Sequence, residues 1–199
     1  MKPRAELETR ASHGLEQFCA MLDDRPGLNI LDLASATQST ISFVTDQGHR
    51  LYSDDFLLQL DECFGTGDFY ENQADSNQVE KFVSATLDFP VANFDGALVW
   101  DVLEYLTPRL LARVVTKLHA MMRPGACLLA VFHAEERKEP VPSFAYRIQD
   151  RRTIVMTPRG ARRPAQFFNN RGLEKLFQDF HSVKFFLTRD ALREVIVKR

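Results

Sequence analysis

The fold is decided by the segment Phe94–Phe132, which begins FDGALVW and ends ACLLAVF. The first run, Phe94–Trp100, and the last, Ala126–Phe132, are continuous apolar stretches with the length of a buried strand. Between them, Pro108–Met122 places apolar residues at helical spacing, with a proline in the first turn. Two buried strands joined by an amphipathic helix form a βαβ unit, which predicts a parallel sheet.

A second strand-to-helix unit precedes this one. Asn29–Leu33 is a short apolar run, Ala34–Ser39 is a bend of small polar and apolar residues, and Thr40–Val44 reads as a helix start. In open α/β sheets such a bend offers backbone N–H groups and the positive end of a helix to a nucleotide-like ligand. The bend contains no glycine.

Further elements are predicted on both sides of these units. They are a helix within residues 1–28, a strand Arg50–Ser53, a helix Gln78–Ala85, an extended piece Leu87–Pro90, a hairpin of Tyr146–Gln149 with Thr153–Met156, and final strands Val183–Leu187 and Glu194–Lys198. Only six residues separate the last two strands, so they are antiparallel. No regular structure is predicted for Cys63–Ser76. The sequence therefore predicts an α/β fold with a Rossmann-like, mostly parallel sheet, a C-terminal antiparallel strand pair and helices on both faces.

Composition is that of an ordinary globular protein. A length of 199 residues favours a single domain over 1–199, with residues 133–168 as an insertion between the fifth strand and the last helix. No apolar run approaches the roughly 20 residues that span a bilayer, and the charged N-terminus lacks a signal-peptide core. Cys19, Cys63 and Cys127 are interpreted as buried free thiols, which favours the cytoplasm, and no metal-ligand cluster is predicted.

Charge is unevenly distributed, although the net charge is −2. Residues 46–80 hold nine acids and one arginine, whereas residues 144–175 hold eight basic residues and two acids. A basic segment beside a cleft suits an anionic substrate or a phosphate backbone. It is also compatible with a solvated arm, or with docking on an acidic face of a second copy. The expected partner is a small molecule, with nucleic acid as a weaker alternative. No membrane partner is expected, and the expected state is a monomer or homodimer.

The order of elements resembles the class I S-adenosylmethionine (SAM)-dependent methyltransferases over about residues 15–199. Phe94–Leu106 resembles the family's fourth strand and following loop, Leu118–Leu129 resembles its helix, Pro-Gly turn and fifth strand, and the final strands resemble its closing hairpin. The resemblance implies methyl transfer from SAM to a small or anionic acceptor. Two alternatives are a non-catalytic relative that binds a partner and an RNA methyltransferase.

The resemblance also implies site residues. Those expected to bind the cofactor are Asp32, Ala34, Ser35, Ala36, Thr37, Asp54, Asp55, Asp88, Trp100 and Asp101. Asp54 and Asp55 are alternatives for the ribose hydroxyls, or a solvated pair of turn acids, and Trp100 is either a core residue or a stacking face. Leu103, Tyr105 and Tyr146 are expected near the substrate. His133 is the candidate general base, or a loop residue without a catalytic role.

The missing glycines bear on this implied site. Ala34, Ala36 and Gln38 stand near positions where the family usually has glycine, which allows positive φ and leaves no Cβ between backbone and ligand. Alanine at a positive-φ position costs on the order of 1 kcal/mol. Gln38 adds a long side chain. The bend either still binds the cofactor or has lost that function, as in the non-catalytic alternative.

Overall fold

The computed structural model describes residues 7–136, 139–188 and 191–199. Strands and helices alternate through most of the chain. In chain order they are β1 (Glu8–Ala11), α1 (His13–Leu22), β2 (Asn29–Asp32), α2 (Gln38–Asp46), β3 (Arg50–Ser53), α3 (Phe56–Phe64), α4 (Phe69–Asn72), α5 (Ser76–Thr86), β4 (Phe94–Trp100), a 3-10 turn (Val102–Tyr105), α6 (Pro108–Met121), β5 (Met122–His133), β6 (Val141–Asp150), β7 (Thr153–Arg162), α7 (Asn170–Leu176), β8 (Ser182–Leu187) and β9 (Leu192–Lys198).

The central sheet has six strands in the order β3-β2-β4-β5-β9-β8. The pairs β3–β2, β2–β4 and β4–β5 are parallel, and β9 runs antiparallel to both β5 and β8. The mostly parallel sheet and the reversed C-terminal strand pair are therefore confirmed. The carboxyl ends of β2, β3 and β4 meet at one edge, which is where ligands bind in such sheets.

Successive side chains along the strands point to opposite faces of the sheet. Both faces are covered by other elements. On one face, helices α3, α5, α6 and α7 pack around Leu128, Val99 and their neighbours. On the other face, α1, α2 and the β6–β7 hairpin pack around Ile30, Leu98 and Leu129. The expected helices on both faces are confirmed, and the hairpin adds a β-layer to the second face.

A second, three-stranded antiparallel sheet has the order β1-β7-β6. Its hairpin was predicted from the sequence and falls within the predicted insertion, whereas strand β1 was not predicted. The Ile148 backbone N–H donates to the Thr40 hydroxyl over 3.1 Å, which joins the hairpin to the first turn of α2. The hairpin therefore packs against the start of α2, next to the bend that follows β2.

Three local expectations are corrected. The segment Cys63–Ser76 is not irregular, because it contains the end of α3, helix α4 and the start of α5. Leu87–Pro90 joins no strand of either sheet. Cys63 is exposed, while Cys19 and Cys127 are buried free thiols as expected.

Across the described residues, no helix has the length and apolarity to cross a bilayer. The same part of the chain contains no group of three or more His, Cys, Asp or Glu side chains arranged to hold a metal ion.

Candidate functional site

The bend between β2 and α2 is unstrained without glycine. Among the described residues, the non-glycine positions with positive φ are Asp24, Ala92, Trp100 and Ala191, so none lies in the bend. The cost of an alanine at positive φ therefore does not apply to the alanines of the bend. Ser35 and Ala36 are exposed.

The residues at the start of α2 also leave the bend open. The Thr37 hydroxyl accepts from the Thr40 backbone N–H over 3.3 Å and caps the helix. The Gln38 amide donates to the Ser42 hydroxyl one turn further on, over 3.2 Å. Because this side chain runs along the helix, it does not fill the space in front of the bend.

Asp32, at the end of β2, is buried, and the groups that donate hydrogen bonds to its carboxyl are neutral. Its Oδ1 accepts from the Ala34 backbone N–H over 3.0 Å and from the Trp100 indole N–H over 2.7 Å. Burial raises the pKa of this carboxyl from 3.8 to about 7, although both hydrogen bonds act to lower it. Within the described part of the chain, no cationic side chain forms an ion pair with it.

Trp100 closes the space above Asp32. Its ring stacks on that of Tyr146 from the hairpin, with centroids 4.7 Å apart and planes inclined by 6°. Both side chains are buried. The φ of 56° at Trp100 is unusual for a bulky residue and is of the kind found at functional sites. Trp100 thus faces the expected site and belongs to the core as well, and Tyr146 lies beside it.

Asp101, the next residue, is 3% exposed and carries an oxygen without a partner. Its Oδ2 accepts from the Tyr105 hydroxyl over 3.3 Å, while its Oδ1 is buried and accepts no hydrogen bond from any described residue. Burial and the nearby charge of Glu104 raise the pKa of Asp101 to about 7. A buried carboxyl oxygen without a donor is costly unless a ligand or an ion satisfies it.

The buried Glu104 and the partly buried His133 form a pair that the sequence did not reveal. The Glu104 carboxyl lies 2.6 Å from the His133 backbone N–H and 2.7 Å from its ring Nδ1. Glu104 is 2% exposed. It lies in the same 3-10 turn as Leu103 and Tyr105. The only sequence signal was an acid three residues after Asp101, in a turn whose other side chains are apolar or aromatic.

Asp54 and Asp55 lie at the end of β3, as expected, and both carboxyls are already bound. Asp54 accepts from the Gln59 side-chain amide. Asp55 caps α3 through the Leu58 N–H and accepts two hydrogen bonds from Arg159 on the hairpin, at 2.9 and 2.8 Å. Arg159 was not among the expected site residues. Arg159 therefore binds one of the two carboxylates that are alternatives for the ribose hydroxyls.

The remaining expected residues are placed differently. Asp88 is exposed and lies in a segment outside the sheets, and it makes no hydrogen bond to the residues described above. Leu103 is fully buried in the core. Tyr105 is fully buried too, and it contacts the site through its hydroxyl on Asp101. The structure thus gathers Asp32, Trp100, Asp101, Tyr105 and Tyr146, with His133 next to Glu104, and leaves Asp88 outside this group.

The basic segment docks on acids of its own chain. Bidentate or single ion pairs join Arg151 to Asp23, Arg152 to Glu16, Arg159 to Asp55 and Arg162 to Asp61. The Arg162 guanidinium also lies 5.1 Å from the centre of the Phe69 ring. These contacts reduce the positive charge that the hairpin offers to an external phosphate backbone.

Solved structures share this architecture. The 1,6-didemethyltoxoflavin-N1-methyltransferase of Burkholderia thailandensis, solved with 1,6-didemethyltoxoflavin and S-adenosylhomocysteine, is 13% identical, with a TM-score of 0.50 over 94% of this chain and 78% of that one. SAM-dependent methyltransferases from Archaeoglobus fulgidus (10% identity, TM-score 0.51, 93% and 91% covered) and Mesorhizobium loti (14%, 0.50, 92% and 96%) are also similar. The chain has the class I SAM-dependent methyltransferase fold.

At identities of 10–14%, this likeness establishes the fold and not the reaction. No protein-family model and no curated protein sequence matches the chain. In a class I methyltransferase fold, the edge at which β2, β3 and β4 end is the default place for a ligand. In this chain the edge carries Asp32, the Asp54–Asp55 pair, Trp100 and Asp101.

Proposed function

We propose that this chain is a SAM-dependent methyltransferase that acts on a small acceptor. The observation that carries the proposal is the pair of buried carboxyls, Asp32 and Asp101, at the ends of the adjacent parallel strands β2 and β4. Neither forms an ion pair with a cation of the described chain, although burying a carboxylate is costly unless it is paired. SAM carries a sulfonium and an ammonium group. A cationic ligand at this edge would compensate both carboxyls.

The residues present fit such a ligand. The Asp101 Oδ1 is a buried acceptor without a donor among the described residues, and the ligand's ammonium can donate a hydrogen bond to it. The bend from Ala34 to Thr37 is open and leads into the positive end of α2, where an anionic carboxylate is favoured. Asp54 and Asp55 at the end of β3 are the acceptors for vicinal hydroxyls. When bound, the cofactor supplies an electrophilic methyl group, and the chain's main contribution is to align the acceptor with it. Asp88 has no part in this proposal.

Two contacts have to open before the cofactor can bind. The Trp100–Tyr146 stack covers Asp32, and Arg159 holds Asp55. Both contacts come from the β6–β7 hairpin, so one displacement of the hairpin would release both. The hairpin is thus proposed as a lid that the cofactor displaces.

The same two contacts favour a second candidate function, that of a non-catalytic relative. If the hairpin never lifts, Trp100 and Arg159 replace the cofactor permanently as internal partners of Asp32 and Asp55. The fold then serves as a scaffold that binds a partner. An RNA methyltransferase is less well supported, because four arginines of the hairpin pair with acids of the same chain.

Isothermal titration calorimetry with SAM and S-adenosylhomocysteine tests the proposal. We expect binding in the micromolar range, and Asp101→Asn should weaken it tenfold to a hundredfold, on the order of 1.5–3 kcal/mol for a charge-assisted hydrogen bond. The matched control is Asp46→Asn, the same change at an exposed acid, which should bind like the wild type.

The pH dependence adds a second readout. Because burial raises the pKa of Asp32 and Asp101 to about 7, both are more fully ionised at pH 8 than at pH 6. SAM, which carries the sulfonium charge, should gain more affinity over this range than S-adenosylhomocysteine, which lacks it. Absence of binding at millimolar concentrations of both ligands would contradict the proposal and support the non-catalytic relative.

A further inference from the structure

Arg159 stands at an irregularity of the β6–β7 hairpin. Two neighbouring residues of β6, Ser143 and Phe144, pair with Gly160 and Pro158 of β7. One step along β6 thus corresponds to two steps along β7, and Arg159 is the extra residue of a β-bulge. Gly160, which follows it, has a φ of 146°, a value that L side chains rarely adopt. β-Bulges are common next to functional sites, because they redirect a side chain out of the regular alternation of the strand.

The Arg159 side chain extends from the bulge to the edge of the central sheet where β3 ends. Two of its nitrogens donate to the two oxygens of Asp55, over 2.9 and 2.8 Å. Both side chains are only partly exposed, 30% for Arg159 and 16% for Asp55. The pair has the planar, two-point geometry with which a guanidinium recognises a carboxylate group.

Asp55 is also one of the two acids proposed to accept hydrogen bonds from the cofactor ribose. A ribose bound at Asp55 would release the Arg159 guanidinium from its carboxylate. Asp61, the other acid that binds the same strand of the hairpin, already pairs with Arg162. Among the described residues, Arg159 forms no second ion pair. The released guanidinium therefore offers a two-point site for an external carboxylate beside the bound cofactor.

The surrounding charges favour a ligand with a single negative charge. The hydrogen bonds to Asp55 raise the pKa of the Arg159 guanidinium, and the charges of Asp55, Asp101 and Asp61 raise it further. The guanidinium thus lies in a negative surrounding. Such a surrounding disfavours a doubly charged phosphate ester more than a carboxylate, because repulsion grows with the charge of the ligand.

We propose that Arg159 recognises a carboxylate on the methyl acceptor, and that Asp55 takes the place of this carboxylate in the ligand-free chain. The inference rests on the proposed function. Cofactor and acceptor then bind cooperatively, because the ribose removes Asp55 from Arg159 and the acceptor carboxylate replaces it. Each ligand raises the affinity of the other by the same factor. Because the Arg159–Asp55 pair is partly exposed and therefore weak, we expect a factor of about two to five.

The first experiment needs no cofactor. It uses 4-fluorobenzoate, whose binding to the intact protein is followed by fluorine NMR at constant ionic strength. Asp55→Asn removes the charge that holds Arg159 and keeps a side chain that caps α3 about equally well. This variant should bind 4-fluorobenzoate about fivefold more tightly than the wild type. Arg159→Ala in the same background should return the affinity to the wild-type value.

Three controls separate a specific site from a general effect of charge. The neutral analogue 4-fluorobenzamide should bind the wild type and the variants alike. Arg151→Ala, in the Asp55→Asn background, removes a guanidinium of the same hairpin that pairs with Asp23 and should leave the affinity for 4-fluorobenzoate unchanged. Arg159→Lys in that background keeps the charge but loses the two-point geometry, so it should retain only part of the gain.

The second experiment measures the cooperativity by calorimetry. S-adenosylhomocysteine should bind the wild type about two- to fivefold more tightly with saturating 4-fluorobenzoate than without it, and 4-fluorobenzamide should give no such gain. Arg159→Ala should abolish the gain, because the carboxylate then has no guanidinium to bind. Arg151→Ala should keep it.

The outcomes separate this inference from the proposed function. If S-adenosylhomocysteine binds but Asp55→Asn gains no affinity for 4-fluorobenzoate, or keeps the gain without Arg159, the carboxylate site is wrong and the methyltransferase proposal stands. If the gain depends on Arg159 but no cofactor binds, the acceptor role is overturned together with the proposed function. If inorganic phosphate displaces 4-fluorobenzoate at a lower concentration than acetate does, the ligand class is a phosphate ester and the carboxylate assignment is wrong.

Discussion

Two pairs of acids, one at the rim of the sheet edge and one at the buried strand ends, differ in their partners, whereas the buried acids Asp95 and Glu194 elsewhere in the molecule are paired with arginines. At the rim, Asp55 and Asp61 each bind an arginine of the hairpin with N–O distances of 2.7 to 2.9 Å. At the buried strand ends, Asp32 and Asp101 accept hydrogen bonds only from neutral groups, and one oxygen of Asp101 accepts none. Within the described residues, the two rim acids have cationic partners, and the two acids at the strand ends have none.

The difference indicates where a cationic ligand would contribute most. A rim pair in water is worth about 0–1 kcal/mol, so replacing its arginine with a ligand gains little. A buried carboxyl without a cation raises the free energy of the folded state, and a ligand that supplies the cation recovers that cost. The interior acids are therefore expected to drive binding, and the rim acids to control access.

The largest predicted effect tests whether the stack over Asp32 is structural core. Trp100→Ala should lower the free energy of unfolding by roughly 3–5 kcal/mol, because it removes a fully buried indole and the donor to Asp32. At the rim, Asp61→Ala should cost at most about 1 kcal/mol, since its carboxyl is 49% exposed. Chemical denaturation monitored by circular dichroism measures both. Equal losses would mean that interior and rim do not differ in the way proposed.

The second prediction concerns pH. The pKa of Asp101 is raised from 3.8 to about 7 in the folded protein, so the folded state holds this proton more tightly than the unfolded chain does. Its contribution to stability is complete below about pH 4 and is lost as the pH rises to about 7. The ligand-free wild type should therefore be less stable at pH 8 than at pH 5. Asp101→Asn should make this profile shallower, while Asp32, whose pKa is also raised to about 7, keeps part of the dependence. The variant should be more stable than the wild type at pH 8, by on the order of 2 kcal/mol.

Urea denaturation across this pH range provides the measurement, and Asp46→Asn, at an exposed acid, should keep the wild-type profile. If the stability of Asp101→Asn depended on pH as steeply as that of the wild type, protonation of Asp101 would not be the cause of the dependence. In that case the central contrast between interior and rim would disappear.

The central sheet could be predicted because its signals are local. The run Phe94–Trp100 and the stripe on Pro108–Met121 identify a buried strand and its crossover helix without reference to the rest of the chain. The six-residue link between the last two apolar runs was enough to predict the reversed strand. Strand β1 was not predicted, because Glu8–Ala11 is mostly exposed and pairs with β7, well over a hundred residues away in the sequence.

The site was harder to predict, because its defining contacts join distant segments. The resemblance implied Asp32, Trp100 and Asp101 as site residues, and they lie at one edge of the sheet. It did not reveal that the Trp100 indole donates to Asp32 or that Arg159 binds Asp55. The uneven distribution of charge gave a partial indication of these contacts, since Arg159 and Arg162 of the basic segment form ion pairs with Asp55 and Asp61 of the acidic segment. Nothing in the local sequence distinguished Glu104 from a solvated acid, because its burial depends on the position of His133 29 residues later.

The smallest predicted effect tests whether the rim controls access. Arg159→Ala removes the guanidinium that holds Asp55 and should cost less than about 1 kcal/mol of stability, because the pair is partly exposed. If Asp55 binds the ribose hydroxyls, S-adenosylhomocysteine should bind severalfold more tightly to this variant, since the hydroxyls no longer compete with an arginine for the Asp55 carboxylate. Asp55→Ala should instead bind more weakly than the wild type. Calorimetry under identical conditions measures all three proteins.

Arg151→Ala is the matched control, because it breaks another bidentate pair of the same hairpin, with Asp23, away from the end of β3. It should lose a similar amount of stability and leave the affinity unchanged. If both arginine variants bind more tightly, the gain comes from a looser hairpin and not from a released Asp55, and the lid alone limits binding. If neither does, the ribose has another acceptor, and Asp54, bound only to the Gln59 amide, becomes the carboxylate to test.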